Sequence, residues 1–173
     1  MRNLILGGAR SGKSALAERL AAASGGEVTY IATAQANDEE MAARIAHHRA
    51  SRPAHWQSVE EPLALAAALR RHARADRCLL VDCLTLWLSN LLRHDDEGRF
   101  AQERDALLEV LPTLQGQVLL VSNEVGLGIV PMGALTRRFV DEAGRLHQAL
   151  AERCERVLFV AAGLPLVIKG NLA

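Results

Sequence analysis

Apolar positions along this chain fall into two alternating kinds of run. Short unbroken runs, Leu4 to Leu6, Val28 to Thr33, Leu79 to Asp82 and Gln117 to Ser122, have the length of buried strands. Between them lie longer helix-like stretches: Ser14 to Ser24, Asn37 to Arg49, Pro62 to Ala75, Leu84 to Arg93, Phe100 to Leu111 and Ala134 to Arg153. The punctuation agrees. Gly25-Gly26 stop the first helix at its C-cap. Asn37, with Glu40 three residues on, resembles a capping box. Pro53 forces Arg52 out of helical geometry, so that helix ends by about Ser51. Pro62 takes the favoured first position of the next helix. A short strand is expected over His55 to Val59, a solvated turn over Asp95 to Gly98 and a glycine-containing loop over Asn123 to Pro131. Val157 to Ala161 and Leu166 to Lys169 are joined only by a short segment around Gly163-Leu164-Pro165. That is too short for a helical crossover and predicts an antiparallel hairpin. The pattern predicts an α/β fold: a mostly parallel sheet flanked by helices, with a C-terminal antiparallel hairpin, in one domain over residues 1–173.

At the junction of the first strand and first helix stands Gly7-Gly8-Ala9-Arg10-Ser11-Gly12-Lys13-Ser14, a G-x-x-x-x-G-K-S P-loop. Its main-chain N–H groups and the helix N-terminus suit a polyphosphate. Lys13 reaches the β- and γ-phosphates in such a site, and the Ser14 hydroxyl ligates Mg²⁺. Asp82 closes a buried strand and fits the acid that holds the same Mg²⁺. Ligands of open parallel sheets bind beyond the carboxyl ends of the strands. The P-loop, Thr33, Asp82 and Asn123-Glu124 all fall at such ends. Asn123 and Glu124 fit two readings, a substrate-orienting pair or an ordinary loop acid and turn asparagine.

Composition narrows the classes. Half the residues are apolar but only 3% are aromatic, so the core is built from Leu, Val, Ile and Ala. Lys plus Arg and Asp plus Glu both number 20, so no general attraction to nucleic acid or membrane follows. Cys78, Cys83 and Cys154 form no C-x-x-C pair and read as buried free thiols of a reducing compartment. The N-terminus lacks a secretory apolar region, and no apolar run is long enough to span a bilayer. The protein is therefore expected to be soluble and cytoplasmic.

His47 and His48 lie near the end of the Asn37 to Arg49 helix. At about 100° per residue, Met41, Ile45 and His48 share one face, and His47 points away from it. Arg44, Arg49 and Arg52 surround His48 in sequence. Such a histidine is placed to meet phosphate and is held neutral by the positive charge, as a nucleophile requires. A helix-end histidine among solvated arginines is the other reading. On these residues alone the chain fits a small-molecule kinase or a nucleotide-binding switch as well as a nucleotidyl transferase.

Five runs resemble the bifunctional adenosylcobinamide kinase/adenosylcobinamide-phosphate guanylyltransferase family. They are Gly7 to Ser14, Tyr30-Ile31-Ala32-Thr33, the R-I-x-x-H-R-x-x-R-P run from Arg44 to Pro53 with Ala54-His55-Trp56 following, Asp82-Cys83-Leu84-Thr85, and N-E-V-G-L-G-I-V-P from Asn123 to Pro131. The R-I-x-x-H-R-x-x-R-P run and the last run are specific to that family, whereas the P-loop is generic. The resemblance implies a RecA-like P-loop fold, a homotrimer, GTP, ATP and Mg²⁺ as cofactors, and a corrinoid substrate, adenosylcobinamide and then its phosphate. It implies that His48 carries the guanylyl group. It also implies nucleotide contacts from Gly7, Gly8, Ala9, Arg10, Ser11, Gly12, Lys13 and Ser14, from Ala32, Thr33 and Ala34, from Arg49, Ala50, Ser51 and Arg52, and from Glu60 and Asp82. Catalysis is expected from His48 and Lys13.

Overall fold

The computed structural model describes residues 1–35 and 53–172. Strands β1 (Arg2–Gly7), β2 (Glu27–Ala32), β3 (Gln57–Glu60), β4 (Arg77–Asp82), β5 (Gln117–Asn123), β6 (Arg156–Ala161) and β7 (Leu164–Lys169) form one seven-stranded sheet. The order is β3-β2-β4-β5-β1-β6-β7, and every neighbouring pair is parallel except β6 with β7. The described helices are α1 (Lys13–Ala22), α2 (Leu65–His72), α3 (Leu84–Leu92), α4 (Glu97–Val110) and α5 (Ala134–Arg153).

Alternation along the central strands feeds two cores. On one face Leu4, Leu79, Val81, Val118 and Leu120 pack with Leu65, Leu69, Trp87, Leu107, Leu146 and Leu150 of α2 to α5. On the other, Ile5, Leu80, Leu119, Val121 and Leu158 pack with Leu16, Ala17 and Ala21 of α1 and with Trp56. Both faces are therefore dry, which is why β4 and β5 read as unbroken apolar runs. Each fully buried leucine contributes roughly 1.5–3 kcal/mol of transfer free energy. Cys78, Cys83 and Cys154 are buried free thiols. Burial pushes their pKa values up to about 11, 11 and 12, which makes them inert at neutral pH.

The element boundaries depart from the sequence pattern where side chains cap the backbone. The second described helix starts at Leu65 rather than Pro62, because the Glu61 carboxylate accepts the N–H groups of Leu63 (3.0 Å) and Ala64 (2.7 Å). It ends at His72 because Ala73 is extended. Helix α4 begins at Glu97 rather than Phe100, with Asp96 accepting the Gly98 N–H at 2.9 Å. Residues Ala162 and Gly163 alone form the hairpin turn, at φ 51° and 79°, since Ala161 pairs with Leu164. Positive φ at both central positions matches the twist of the flanking strands. The residues after Gly163 that were expected in the turn are thus part of β7, where Pro165 is tolerated because the strand is an edge. The helix expected over Asn37 to Arg49 lies outside the described residues. Among the described residues, no helix is long and apolar enough to cross a membrane.

Candidate active site

Six parallel strands end on one rim, five of them at Gly7, Ala32, Glu60, Asp82 and Asn123. Register places Gly7 beside Asn123, and Ala32 between Glu60 and Asp82. The P-loop, the Ala32-Thr33-Ala34 segment, Glu60, Asp82 and Asn123-Glu124 therefore emerge together, as their strand-end positions predict.

The cradle is the turn from β1 to α1. The Gly8 carbonyl accepts the Ser11 N–H at 3.2 Å and the Lys13 ammonium at 3.1 Å. Gly12 precedes the helix at φ 94°, a left-handed conformation that an L side chain resists. A Cβ on Gly7 would stand 2.5 Å from the Val160 carbonyl oxygen, so that position admits no side chain. No side chain caps the start of α1 and no acid lies in its first turn, which leaves its N-terminal dipole to an anion. Ala9 and Arg10 are exposed at the lip of the turn, and Ser14 is half-buried.

Lys13 is buried beside the cradle. Burial lowers its pKa, and the nearby Asp82 charge works the other way. The Asp82 Oδ2 accepts the Tyr30 hydroxyl at 3.1 Å, which fixes the carboxylate. Among the described residues, no group of three His, Cys, Asp or Glu side chains could hold a metal. A lone carboxylate with a serine hydroxyl still fits Mg²⁺, which takes few protein oxygens and fills its octahedron with phosphate and water.

Thr33 also has a structural role. Its hydroxyl donates to the Cys83 carbonyl at 2.6 Å and accepts the Cys83 N–H at 3.0 Å, and its own carbonyl accepts from Asn90 at 2.8 Å. Fully buried, it ties the end of β2 to the end of β4 and so positions Asp82. Glu60 and Glu61 separate cleanly, because Glu61 is committed to the start of α2 whereas Glu60 is exposed at the rim. His47, His48, Arg44, Arg49, Ala50, Ser51 and Arg52 lie outside the described residues.

The family model for cobinamide kinase / cobinamide phosphate guanyltransferase matches residues 3–168. This chain belongs to that family. It is 71% identical over 171 residues to the bifunctional adenosylcobalamin biosynthesis protein CobP of Pseudomonas aeruginosa, covering 99% of each. It is 40% identical over 182 residues to CobU of Escherichia coli, covering 98% of this chain and 100% of that one. Among solved structures, the RadB recombinase is similar in fold at TM-score 0.50 and 16% identity, with 91% of this chain and 73% of that chain covered. A Pyrococcus horikoshii OT3 protein aligns at TM-score 0.54 and 9% identity, covering 99% and 87%. The architecture of this cobinamide kinase / guanyltransferase chain is thus RecA-like.

Sequence reasoning missed one polar cluster behind the rim of this family member. His147 of α5 lies 2.8 Å from Ser122 of β5, and Ser122 lies 3.3 Å from Thr85 of α3. No motif marks His147. Only its place on the buried face of an amphipathic helix, beside Leu146 and Leu150, could have drawn attention to it.

Proposed function

We propose that this chain carries out, at the carboxyl rim of its sheet, the two reactions for which its family is named. In the first, the γ-phosphoryl group of ATP or GTP passes to the aminopropanol hydroxyl of adenosylcobinamide. The new O–P bond forms as the bond to the departing nucleoside diphosphate breaks, and the hydroxyl proton passes to solvent. The loop amides from Gly7 to Ser14 and the Lys13 ammonium neutralise the charge that moves onto that diphosphate. In the second, the His48 imidazole attacks the α-phosphorus of GTP and pyrophosphate leaves. A phosphate oxygen of adenosylcobinamide phosphate then displaces His48, giving adenosylcobinamide-GDP. The covalent intermediate splits one nucleotidyl transfer into two displacements.

Ser14 and Asp82 would hold Mg²⁺, which supplies further charge neutralisation when bound. Ala32, Thr33, Ala34, Glu60 and the run Arg49 to Arg52 complete the nucleotide contacts in this reading. Leu127, Ile129, Val130 and Met132 are exposed on the loop that leaves β5, an apolar surface beside the rim that suits a large amphiphilic macrocycle. A homotrimer working in the cytoplasm belongs to the same reading.

One observation carries the proposal: Lys13 is buried against the Gly8 carbonyl, in the field of Asp82, at the end of the strand that opens the P-loop. The test is to mix the protein with α-labelled GTP and Mg²⁺, denature it, and look for an acid-labile, base-stable label. Absence of such a label, with γ-label still passing to adenosylcobinamide, would reduce the function to a kinase.

A further inference from the structure

Behind the rim, a line of side chains runs from α5 to the phosphate cradle without entering it. His147 is 7% exposed. Its Nε2 lies 2.8 Å from Ser122 Oγ, which lies 3.3 Å from Thr85 Oγ1. Thr85 Oγ1 accepts the Asn123 N–H at 2.7 Å. On the other side of the ring, Nδ1 stands 3.7 Å from Glu124 Oε2. Glu124 donates its own N–H to the Gly7 carbonyl at 3.0 Å, and its Oε1 accepts the Gly126 N–H at 2.6 Å. One imidazole thus faces both the strand that flanks β1 and the residue bonded to the first glycine of the P-loop.

The charge beside Nδ1 favours one tautomer. The Asn123 N–H only donates, so Thr85 accepts there and its own proton is free to turn towards Ser122. An Nε2–H tautomer would aim the Nδ1 lone pair at the Glu124 carboxylate. The Nδ1–H tautomer instead lets Ser122 donate to Nε2 and points the ring proton at Glu124. At 3.7 Å that last contact is longer than a hydrogen bond, and Nδ1 has no hydrogen-bond partner. Burial holds the ring's pKa below its ordinary value, against the pull of Glu124, so the imidazole is neutral at neutral pH.

We infer that His147 is a positioning residue for phosphoryl transfer: its hydrogen-bonded line fixes Asn123 through Ser122 and Thr85, while its other edge faces the carboxylate of Glu124, whose N–H is bonded to Gly7. This rests on reading the rim as the nucleotide site. Gly7 is paired on both sides in the sheet, with Asn123 of β5 and Val160 of β6. A displacement at the end of β5 is therefore passed into the cradle. Binding, dominated by loop amides and Lys13, tolerates such a shift better than in-line transfer does.

The test compares His147→Ala, His147→Gln, Ser122→Ala and the Ser122→Ala/His147→Ala double variant of the full chain in ATP-dependent phosphorylation of adenosylcobinamide. The expected result for His147→Ala is a fall in kcat of about tenfold or more, with the nucleotide KM changed less than about threefold. His147→Gln, whose amide can accept from Ser122 and donate to Glu124, is expected to recover most of kcat. The double variant is expected to lose no more than His147→Ala, since both changes cut one line. An unchanged kcat in His147→Ala, with only a lower unfolding midpoint, would overturn the inference and leave a structural polar cluster. If His147→Ala does not fold, Ser122→Ala decides in the same way. The amide resonances of Gly7 and Glu124 report position independently of turnover. A wild-type chain that phosphorylates no corrinoid sinks the functional reading, whereas resonances unmoved by Ser122→Ala sink this inference.

Discussion

The main-chain N–H of Gly163 donates to the Ser11 carbonyl oxygen at 2.8 Å. The turn of the C-terminal hairpin is therefore the back wall of the phosphate cradle. It can approach so closely because residue 12 is glycine: a Cβ there would meet the Gly163 Cα at 3.0 Å. Both residues hold positive φ, 94° at Gly12 and 79° at Gly163.

Gly12→Ala tests this contact. Alanine at that φ carries strain of about 1–3 kcal/mol, and relief requires the cradle and hairpin turn to part. Unfolding free energy is expected to fall by about that amount. ATP affinity is expected to fall about tenfold or more, equivalent to about 1.4 kcal/mol. Titration with a fluorescent nucleotide reads the second effect, and an affinity equal to wild type would show that the loop amides do not depend on the turn.

Thr33→Val isolates the strut between β2 and β4. Valine keeps the shape but leaves the Cys83 N–H without its partner in a buried site, while the Cys83 carbonyl keeps the Trp87 N–H at 3.2 Å. The orphaned group costs about 1–3 kcal/mol, so a loss of that order in urea unfolding is expected. Thr33→Ser retains the hydroxyl and is expected to lose about 1 kcal/mol or less of that. Equal stabilities for Val and Ser would mean that the hydroxyl contributes nothing here.

The sheet and its rim were legible because β4 and β5 bury both faces and must read as apolar runs, and because the P-loop fixes what lies at the end of β1. Asp82 followed from the same logic, but Tyr30, which holds its carboxylate, did not: an aromatic residue inside a strand signals core, not a second partner for an acid. The start of α2 was misplaced because proline is favoured at a first helical turn, and the capping carboxylate of Glu61 is a tertiary outcome. Thr33 is similar: its strand-end position was legible, but the bond of its hydroxyl to the Cys83 backbone was not, since no local pattern encodes it. His147 stayed hidden because its partners come from β5 and from the residue that follows it, a juxtaposition no local pattern encodes.

The buried neutral state of His147 makes stability depend on pH in a definite direction. Its folded pKa lies below the ordinary 6.5, chiefly through burial, with Glu124 opposing. In the window below 6.5 the unfolded chain binds more protons than the folded one, so stability rises with pH. The contribution is complete above that value and is lost as pH falls through the folded pKa. Thermal unfolding followed between about pH 7 and 5 is therefore expected to drop more steeply in wild type than in His147→Gln, which has no titrating ring. Parallel profiles would show that the ring's proton is not excluded by folding.

His48→Ala and Lys13→Ala together test whether one cradle serves both transfers. In the proposed chemistry the imidazole enters only the guanylyl step, so His48→Ala is expected to abolish the label from α-labelled GTP. Phosphorylation of adenosylcobinamide is expected to stay within about threefold of wild type, because no bond to His48 forms in that step. Lys13 contributes charge to the triphosphate in both steps. Its ammonium is held on the Gly8 carbonyl at 3.1 Å, so Lys13→Ala removes a preorganised donor rather than a mobile one. A loss of about 10²-fold or more in each activity is expected. Retention of a GMP adduct by His48→Ala would move the nucleophile elsewhere. Full guanylyl transfer in Lys13→Ala would mean that GTP in the second reaction sits outside the P-loop.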